Sequence, residues 1–214
     1  QALSLQKLVE SGPGLFRQKI SYPLADSSRH DLDFVPNEMK ESRGATIGIM
    51  PLSSRRAGHA LLQTALSQEG YLLATSIMSL EEVLRGMELW SQARLTGDYA
   101  FQIFGTPSTE EAWGWKVEGH HLSVNVTMEQ GELRAPPLFV GANPAEVRNG
   151  PRGGLRIMAP HQDLAFALVS SLTAEQLTLA HDPTSPTAGI LQRHEQTLEP
   201  GEVGVSASAL TDSQ

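Results

Sequence analysis

The feature that most constrains the fold of this chain is the run from Trp113 to Met128, its longest stretch of β-forming residues. The run contains two of the three tryptophans and the only adjacent histidines, His120 and His121. Strand side chains alternate between two faces, and without an interruption each face of this run would be apolar at one end and polar at the other. An extra residue at Gly119 would shift the alternation by one. The run therefore predicts a strand with a bulge at Gly119, one apolar face and one polar face.

The two faces of this bulged strand offer different chemistry. The apolar face would lie on the core with His120 turned towards it, and the polar face would place His121 among hydrogen-bonding side chains. A solvated sheet face, and a core histidine bound to a backbone carbonyl, would explain the same pattern without a site. The apolar face would contain Trp113, Trp115, Val117, Leu122, Val124, Val126 and Met128, and the polar face would contain Lys116, Glu118, His121, Ser123, Asn125 and Thr127.

The polar face is the candidate site, and its histidine suggests a metal-assisted enzyme of hydrolase or oxidoreductase type. Neutral imidazole is a common ligand of divalent metal ions, so His121 would bind the ion, with His120 as a second candidate ligand. Glu118 would act as general base or orient the histidine, and Ser123 and Asn125 would bind the substrate. Adjacent strand residues diverge, which argues against both histidines binding one ion.

Two alternatives to a metal enzyme remain open. In the first, His121 and Glu118 transfer protons without a metal. In the second, the chain is a non-catalytic ligand-binding or assembly domain in which His120 and His121 are structural. A small molecule, a peptide or a protein partner would then bind the polar face. The sequence has neither a Gly-x-Ser-x-Gly elbow nor a phosphate-binding loop, which excludes those hydrolase and nucleotide enzyme classes.

A basic, glycine-rich connector over residues 148–156 supplies further candidate residues. It holds three arginines around flexible backbone, of which Arg148 and Arg152 are candidate contacts for an anionic substrate. The spacing matches no phosphate-binding loop, so a plain turn between a helix and a strand is the alternative.

Composition excludes several other classes of function. The 214 residues carry a formal net charge of −8 at a pI of about 5.3, and no basic stripe with interleaved aromatics occurs, which argues against nucleic-acid binding. The absence of cysteine excludes disulfides, thiolate catalysis and cysteine-based metal centres. No apolar run approaches the roughly 18–20 residues of a membrane span. The chain begins at Gln1, without a methionine, so any targeting segment has been removed or left out. The expectation is a soluble protein, with export from a bacterium as one alternative; compartment and oligomeric state stay open.

The remaining patterns predict an α+β fold in which helices pack on an antiparallel β-meander. The meander would comprise residues 99–104, the bulged strand and residues 132–140, with a tight turn at Gln130-Gly131. Helices are expected over residues 2–11, 15–22, 51–68, 80–95 and 163–172, and another helix is expected to start at Asn143. Gly70 would cap the end of the third helix, Ser79 and Glu82 would cap the start of the fourth, and Thr173 would cap a helical turn after the last. A further strand is expected over residues 155–158.

The chain is expected to form one α+β domain over residues 1–182, followed by a loop-rich segment over residues 183–214. The separation from Gln18 to Leu52 equals that from Gln176 to Leu210, between segments of similar character. This weak internal repeat suggests that the chain is the first part of a longer, two-part protein, whose second half follows the loop-rich segment.

Three motifs around the central run carry a family resemblance. They are Trp113-Gly-Trp115, then Glu118-Gly-His-His-Leu-Ser123 with Asn125, and Phe139-Val-Gly-Ala-Asn-Pro-Ala-Glu-Val147. Together they resemble a mostly bacterial family of uncharacterised proteins, a domain of unknown function, from about Leu3 to the C-terminus. The resemblance implies no activity. It implies a longer protein, with another histidine-bearing strand in its second half.

Overall fold

Two compact units, Gln1–Ile157 and Met158–Gln214, make up the chain. The structure, a computed structural model, describes residues 14–31, 35–36, 43–88, 94–134, 138–181 and 204–214. Among these residues no helix is long and apolar enough to cross a membrane. The predicted helix over residues 2–11 and the predicted domain boundary at residue 182 lie outside the described residues.

A mixed β-sheet forms the centre of the first unit. Its described strands are β1 (Ser21–Tyr22), β2 (Ala45–Thr46), β3 (Ala100–Phe104), β4 (Trp113–Gly119), β5 (Leu122–Glu129), β6 (Glu132–Arg134) and β7 (Leu138–Val140). Strands β3 to β6 form an antiparallel meander, while β7 pairs with the other end of β5. The second edge of β3 pairs with β2 in the antiparallel sense and with β1 in the parallel sense. The predicted α+β fold with its antiparallel meander is therefore confirmed.

The central run is a hairpin, and the predicted bulge at Gly119 is wrong. The ladder between β4 and β5 is continuous up to the pair Gly119–Leu122, so His120 and His121 form a two-residue turn. Such a turn reverses the chain and changes the parity of the side chains, as a bulged residue would. The predicted separation into two faces is confirmed for this reason. Facing pairs are Trp113–Met128, Trp115–Val126 and Val117–Val124 on the apolar face, and Gly114–Thr127, Lys116–Asn125 and Glu118–Ser123 on the polar face.

Three described helices belong to the first unit: α1 (Gly14–Ile20), α2 (Leu52–Ala65) and α3 (Gln68–Met87). Helix α3 begins after Ser67, whose Oγ accepts a hydrogen bond from the Gly70 amide at 3.1 Å. The predicted helix end at Gly70 and the predicted start at Ser79 are therefore both wrong. Ser79 lies inside α3, where its hydroxyl donates to the carbonyl of Ser76 at 2.8 Å.

The core of the first unit joins the apolar face of the hairpin to helices α2 and α3. Gly58 of α2 faces the ring of Phe101, and a side-chain carbon at this glycine would lie 2.9 Å from the ring. Burial of each large apolar side chain contributes about 1.5–3 kcal/mol to folding. Buried members of this core include Leu61, Leu62, Ala74, Ile77, Met78, Trp113, Trp115, Val117, Leu122, Val124 and Val126.

The connector after the sheet is a series of turns. The Val147 amide donates to the Leu155 carbonyl at 3.0 Å, and the Gly154 amide donates to the Val147 carbonyl at 2.7 Å. Because the Val147 amide is engaged in this way, it does not extend a helix from Asn143. Residues 155–156 have no regular secondary structure, and residues 157–158 form a turn. The predicted helix at Asn143 and the predicted strand over residues 155–158 are both wrong.

The second unit contains helices α4 (Ala159–Ser171) and α5 (Ala174–Ala180) among its described residues. Thr173 and Gln176 form a reciprocal capping box at the start of α5, as the sequence predicts. The predicted helix over residues 163–172 is also confirmed and begins earlier, at Ala159. At the end of the chain the Gln214 side chain donates to the Ser171 carbonyl at 2.6 Å.

Candidate functional site

The histidine turn, His120 and His121, is held by hydrogen bonds to both of its carbonyl groups. The Tyr99 hydroxyl donates to the His120 carbonyl at 2.9 Å, and the Gly141 amide donates to the His121 carbonyl at 2.8 Å. His121 has a φ of 58°, a left-handed conformation that residues other than glycine seldom adopt. Strain of this kind persists where the surroundings hold the backbone in place, and it is frequent at functional sites.

A carboxylate from helix α3 holds the imidazole of His120. The Oε1 atom of Glu81 lies 2.5 Å from His120 Nδ1. Glu81 is only 5% exposed and His120 only 7% exposed. A carboxylate accepts hydrogen bonds, so we assign the Nδ1 proton to this contact, which leaves Nε2 for other partners.

Arg94 places a cation close to this buried carboxylate. Its Nη1 atom lies 3.9 Å from Glu81 Oε2, while its Nε and Nη2 atoms each bind the carboxylate of Glu88 at 2.9 Å. The Arg94 hydrogen bond is the main cause that lowers the pKa of Glu88 below its usual value. The buried carboxylate of Glu81 is therefore flanked by His120 on one side and a guanidinium on the other.

The imidazole of His121 is half-buried and lies beside that of His120. The two ring centres are 4.2 Å apart, and the Phe139 ring stands edge-on to His121 at 6.4 Å. Burial, followed by the positive charge of His120, lowers the pKa of His121 to about 4. His121 is therefore a neutral imidazole at neutral pH, with part of its surface open to solvent.

The polar face of the hairpin is a second, separate cluster, and it is buried. Lys116 is 2% exposed; its Nζ lies 3.1 Å from Glu118 Oε2 and donates to the Ser28 carbonyl at 2.9 Å. The hydroxyl of Ser123 donates to Glu118 at 3.4 Å, and Asn125 Nδ2 donates to Ser123 Oγ at 3.2 Å. The turn over Ser27–Arg29 covers this face, so the alternative of a solvated sheet face is excluded.

The predicted site residues therefore occupy three places. His120 and His121 lie in the turn, whereas Glu118, Ser123 and Asn125 belong to the buried polar face. Arg148 lies exposed in the connector. Arg152 binds Glu82 at 2.8 Å and the Ser79 carbonyl at 3.1 Å, so its guanidinium already has protein partners.

Sequence reasoning missed Glu81, Arg94 and Tyr99, which surround the histidine turn. For Glu81 a signal was present. The buried face of α3 repeats every three or four residues, through Ala74, Ile77 and Met78 to Leu84. Glu81 occupies the next position of this repeat, between Met78 and Leu84. A carboxylate in an apolar stripe requires a buried partner, and a misplaced helix start at Ser79 hid this stripe.

The two imidazoles do not diverge as they would on a strand, because they lie in a turn with their rings side by side. Divergence of neighbouring strand residues therefore does not prevent the two histidines from binding one ion together. In the described part of the chain, however, no group of three or more His, Asp or Glu side chains is placed to hold a metal ion. A divalent ion at the turn would need ligands beyond these two imidazoles.

Comparison with known proteins assigns the chain to a family without assigning it an activity. A family model described as "Protein of unknown function (DUF3500)" matches residues 5–214. No curated protein and no solved structure matches the chain.

Proposed function

Because the chain belongs to the DUF3500 family, whose description names no activity, we propose its function from the histidine turn: an enzyme whose reacting groups are His120 and His121. The observation that carries this proposal is the buried carboxylate–imidazole contact between Glu81 and His120, next to a neutral, half-exposed imidazole. Buried charged groups and perturbed pKa values are concentrated at functional sites.

Glu81 positions the imidazole of His120. With Nδ1 donating to the carboxylate, Nε2 presents a lone pair as a base or a metal ligand, or a proton as an acid. The same contact stabilises the imidazolium that forms when Nε2 takes up a proton. Arg94, at 3.9 Å from Glu81, balances the charge of the carboxylate when His120 is neutral.

His121 supplies the second imidazole, which stays neutral because burial, followed by the electrostatic influence of the neighbouring His120, lowers its pKa to about 4. A neutral imidazole binds a metal ion without first losing a proton, whereas a pKa of about 4 makes it a weak proton acceptor at physiological pH. The part of His121 that remains open to solvent is the side from which a substrate would reach the pair.

The metal-assisted form of this proposal adds a divalent ion to the two imidazoles. Glu81 would then be the outer carboxylate that orients a metal-binding histidine, an arrangement common in metal centres. The remaining ligands of the metal ion would be water, substrate or residues outside the described ranges. Glu118, Ser123 and Asn125 are not assigned to this centre, because their described contacts lie within the polar face.

A non-catalytic domain is the second candidate function. The observation in its favour is that His120 is 7% exposed and saturated on Nδ1 by Glu81, as a purely structural histidine would be. In that case the pair would lock α3 to the hairpin, and a ligand or protein partner would bind elsewhere on the molecule.

Three variants distinguish the two candidates. His121→Asn removes the imidazole and retains a residue type that tolerates the left-handed backbone, Glu81→Gln removes the carboxylate, and His161→Asn is the control at an exposed histidine. Each is assayed for bound divalent metal and for hydrolysis and oxidation of generic chromogenic substrates. The enzyme proposal predicts an activity that falls about a hundredfold or more in both site variants and persists in the control.

The proposal fails if the activity survives in folded His121→Asn and Glu81→Gln proteins. Metal content separates the two forms of the enzyme: stoichiometric metal that is lost with His121→Asn supports the metal-assisted form. If the native protein has neither metal nor activity, and Glu81→Gln only lowers the unfolding free energy, the non-catalytic candidate is correct.

A further inference from the structure

A cavity of about 470 Å³, lined by both polar and apolar side chains, lies at the end of the hairpin opposite to the histidine turn. Arg29 and His30 line it from the segment that covers the sheet, Asn125 and Thr127 line it from β5, and Arg134 lines it from β6. From Leu122 to Thr127 the strand extends by roughly 17 Å, so the cavity is distinct from the turn.

Arg29 has unused hydrogen-bonding capacity at this cavity. Its Nη1 atom donates to Thr127 Oγ1 at 3.1 Å, whereas its buried Nε atom has no hydrogen-bond partner among the described residues. The Nε atom is closed to solvent, so a ligand in the cavity would contact the Nη end of this guanidinium, which carries the positive charge and forms charge-assisted hydrogen bonds to acceptor oxygens.

The other groups around the cavity favour an anion. Thr127 accepts a hydrogen bond from Arg29, so its own hydroxyl proton is available to a ligand. Arg134 adds a second cation at the rim. Among the described residues that line the cavity, Glu129 is the one carboxylate. It lies 3.9 Å from Arg134, and both side chains are at least half exposed, so this pair is weak. Two guanidinium groups thus face a single carboxylate.

We propose that this cavity binds a small molecule through a carboxylate or phosphate group. The oxyanion is held by the Nη end of the Arg29 guanidinium, receives the Thr127 hydroxyl, and is attracted by Arg134 at the rim. This site is independent of the function proposed for the histidine turn, and either one stands if the other fails.

Binding of inorganic phosphate and of acetate to the whole chain, measured by titration calorimetry in a buffer without other oxyanions, tests the proposal. One of the two anions binds saturably, and this identifies the preferred group. Arg29→Gln weakens that binding about tenfold or more, since it removes a charged two-point contact. Arg29→Lys keeps the charge, loses the fork and binds with intermediate affinity.

Two further variants keep the test decisive. Arg85→Gln removes the same charge from an exposed position on α3 and leaves binding unchanged. Arg134→Gln changes a side chain that is 64% exposed, so the protein stays folded, and the affinity falls roughly two- to fivefold. The proposal is overturned if neither anion binds saturably, or if folded Arg29→Gln binds as tightly as the native chain. Should Arg29→Gln not fold, unchanged binding by Arg134→Gln overturns it instead.

Discussion

Gly119 is the last residue of β4 and lies directly against the ring of Tyr99. A side-chain carbon at this position would be 2.5 Å from Tyr99 Cδ1 and less than 3 Å from two further ring atoms. In the sequence Gly119 interrupts a run of β-forming residues, and a glycine inside a strand commonly indicates a bulge. The actual reason is a close approach by a residue twenty positions earlier in the chain, which local pattern does not reveal.

Gly119→Ala is expected to destabilise the protein by about 1–3 kcal/mol, because the ring of Tyr99 must move and its hydrogen bond to the turn is disturbed. Urea unfolding measures the effect. Gly86→Ala is the matched control, since a side-chain carbon there meets nothing within 4 Å, and helix propensity predicts a small gain in stability. Equal stability of the Gly119→Ala and native proteins would contradict the close contact.

The low pKa of His121 predicts a pH dependence of stability. The unfolded imidazole titrates near 6.5 and the folded one at about 4, so the unfolded state binds more protons between these values. His121 therefore reduces stability as pH falls from about 6.5 to 4 and has no such effect above this window. After allowance for its partial exposure, the loss is about 1–2 kcal/mol.

Unfolding free energies at pH 7 and pH 4.5 measure this effect. The loss of stability between the two pH values should be smaller in His121→Asn than in the native chain, whereas the exposed-histidine variant His161→Asn should behave like the native chain. A native-like loss in His121→Asn would show that the imidazole is not buried as described.

At the scale of elements, strands and turns follow the sequence more closely than helix boundaries do. Alternation locates β3 to β5, and Gln130-Gly131 marks the next turn, where both residues have positive φ. Helix starts are less certain, because serine both caps helices and occurs inside them. Ser67 and Ser79 are both plausible N-caps, and only tertiary packing makes α3 continuous from Gln68 to Met87.

Exchange of these two serines for alanine tests the assignment. Ser67→Ala removes the bond to the Gly70 amide and should cost about 0.5–2 kcal/mol of unfolding free energy. Ser79→Ala removes a hydroxyl that donates to the preceding turn and accepts a long hydrogen bond of 3.4 Å from Arg152. It should be close to neutral, because Arg152 keeps its bond to the Ser79 carbonyl and alanine favours helix interiors. Thermal or urea unfolding of both variants decides the matter. A reversed order of effects would restore a helix start at Ser79.

At the scale of the whole molecule, long-range contacts decide what the site contains. The sequence predicts the histidines and the two faces of the hairpin, which follow from local periodicity. It does not predict that Glu81 reaches His120 from α3, or that the Ser27–Arg29 turn covers the polar face. These pairings join residues far apart in the chain, and they divide one predicted site into a histidine turn and a sealed ionic cluster.

The sealed cluster makes a final prediction about the fold. Lys116 and Glu118 are an ion pair with at most 9% of either side chain exposed, and Lys116 also binds the Ser28 carbonyl. Lys116→Met leaves the Glu118 carboxylate buried without its cation and should cost about 3–5 kcal/mol. The double variant Lys116→Met with Glu118→Leu removes both charges and should recover much of this loss, because apolar replacement of a buried pair is often neutral.

Urea unfolding of the single and double variants gives the coupling between the two charges. Arg134→Met, at an exposed pair with Glu129 whose atoms are 3.9 Å apart, is the control and should cost less than about 1 kcal/mol. If Lys116→Met were as mild as this control, the polar face would be open to water. The cluster would then be available to a ligand, and Glu118 would return as a candidate for the chemistry. A large coupling instead shows that these polar residues fasten the covering turn to the sheet, and leaves the histidine turn as the site of the proposed chemistry.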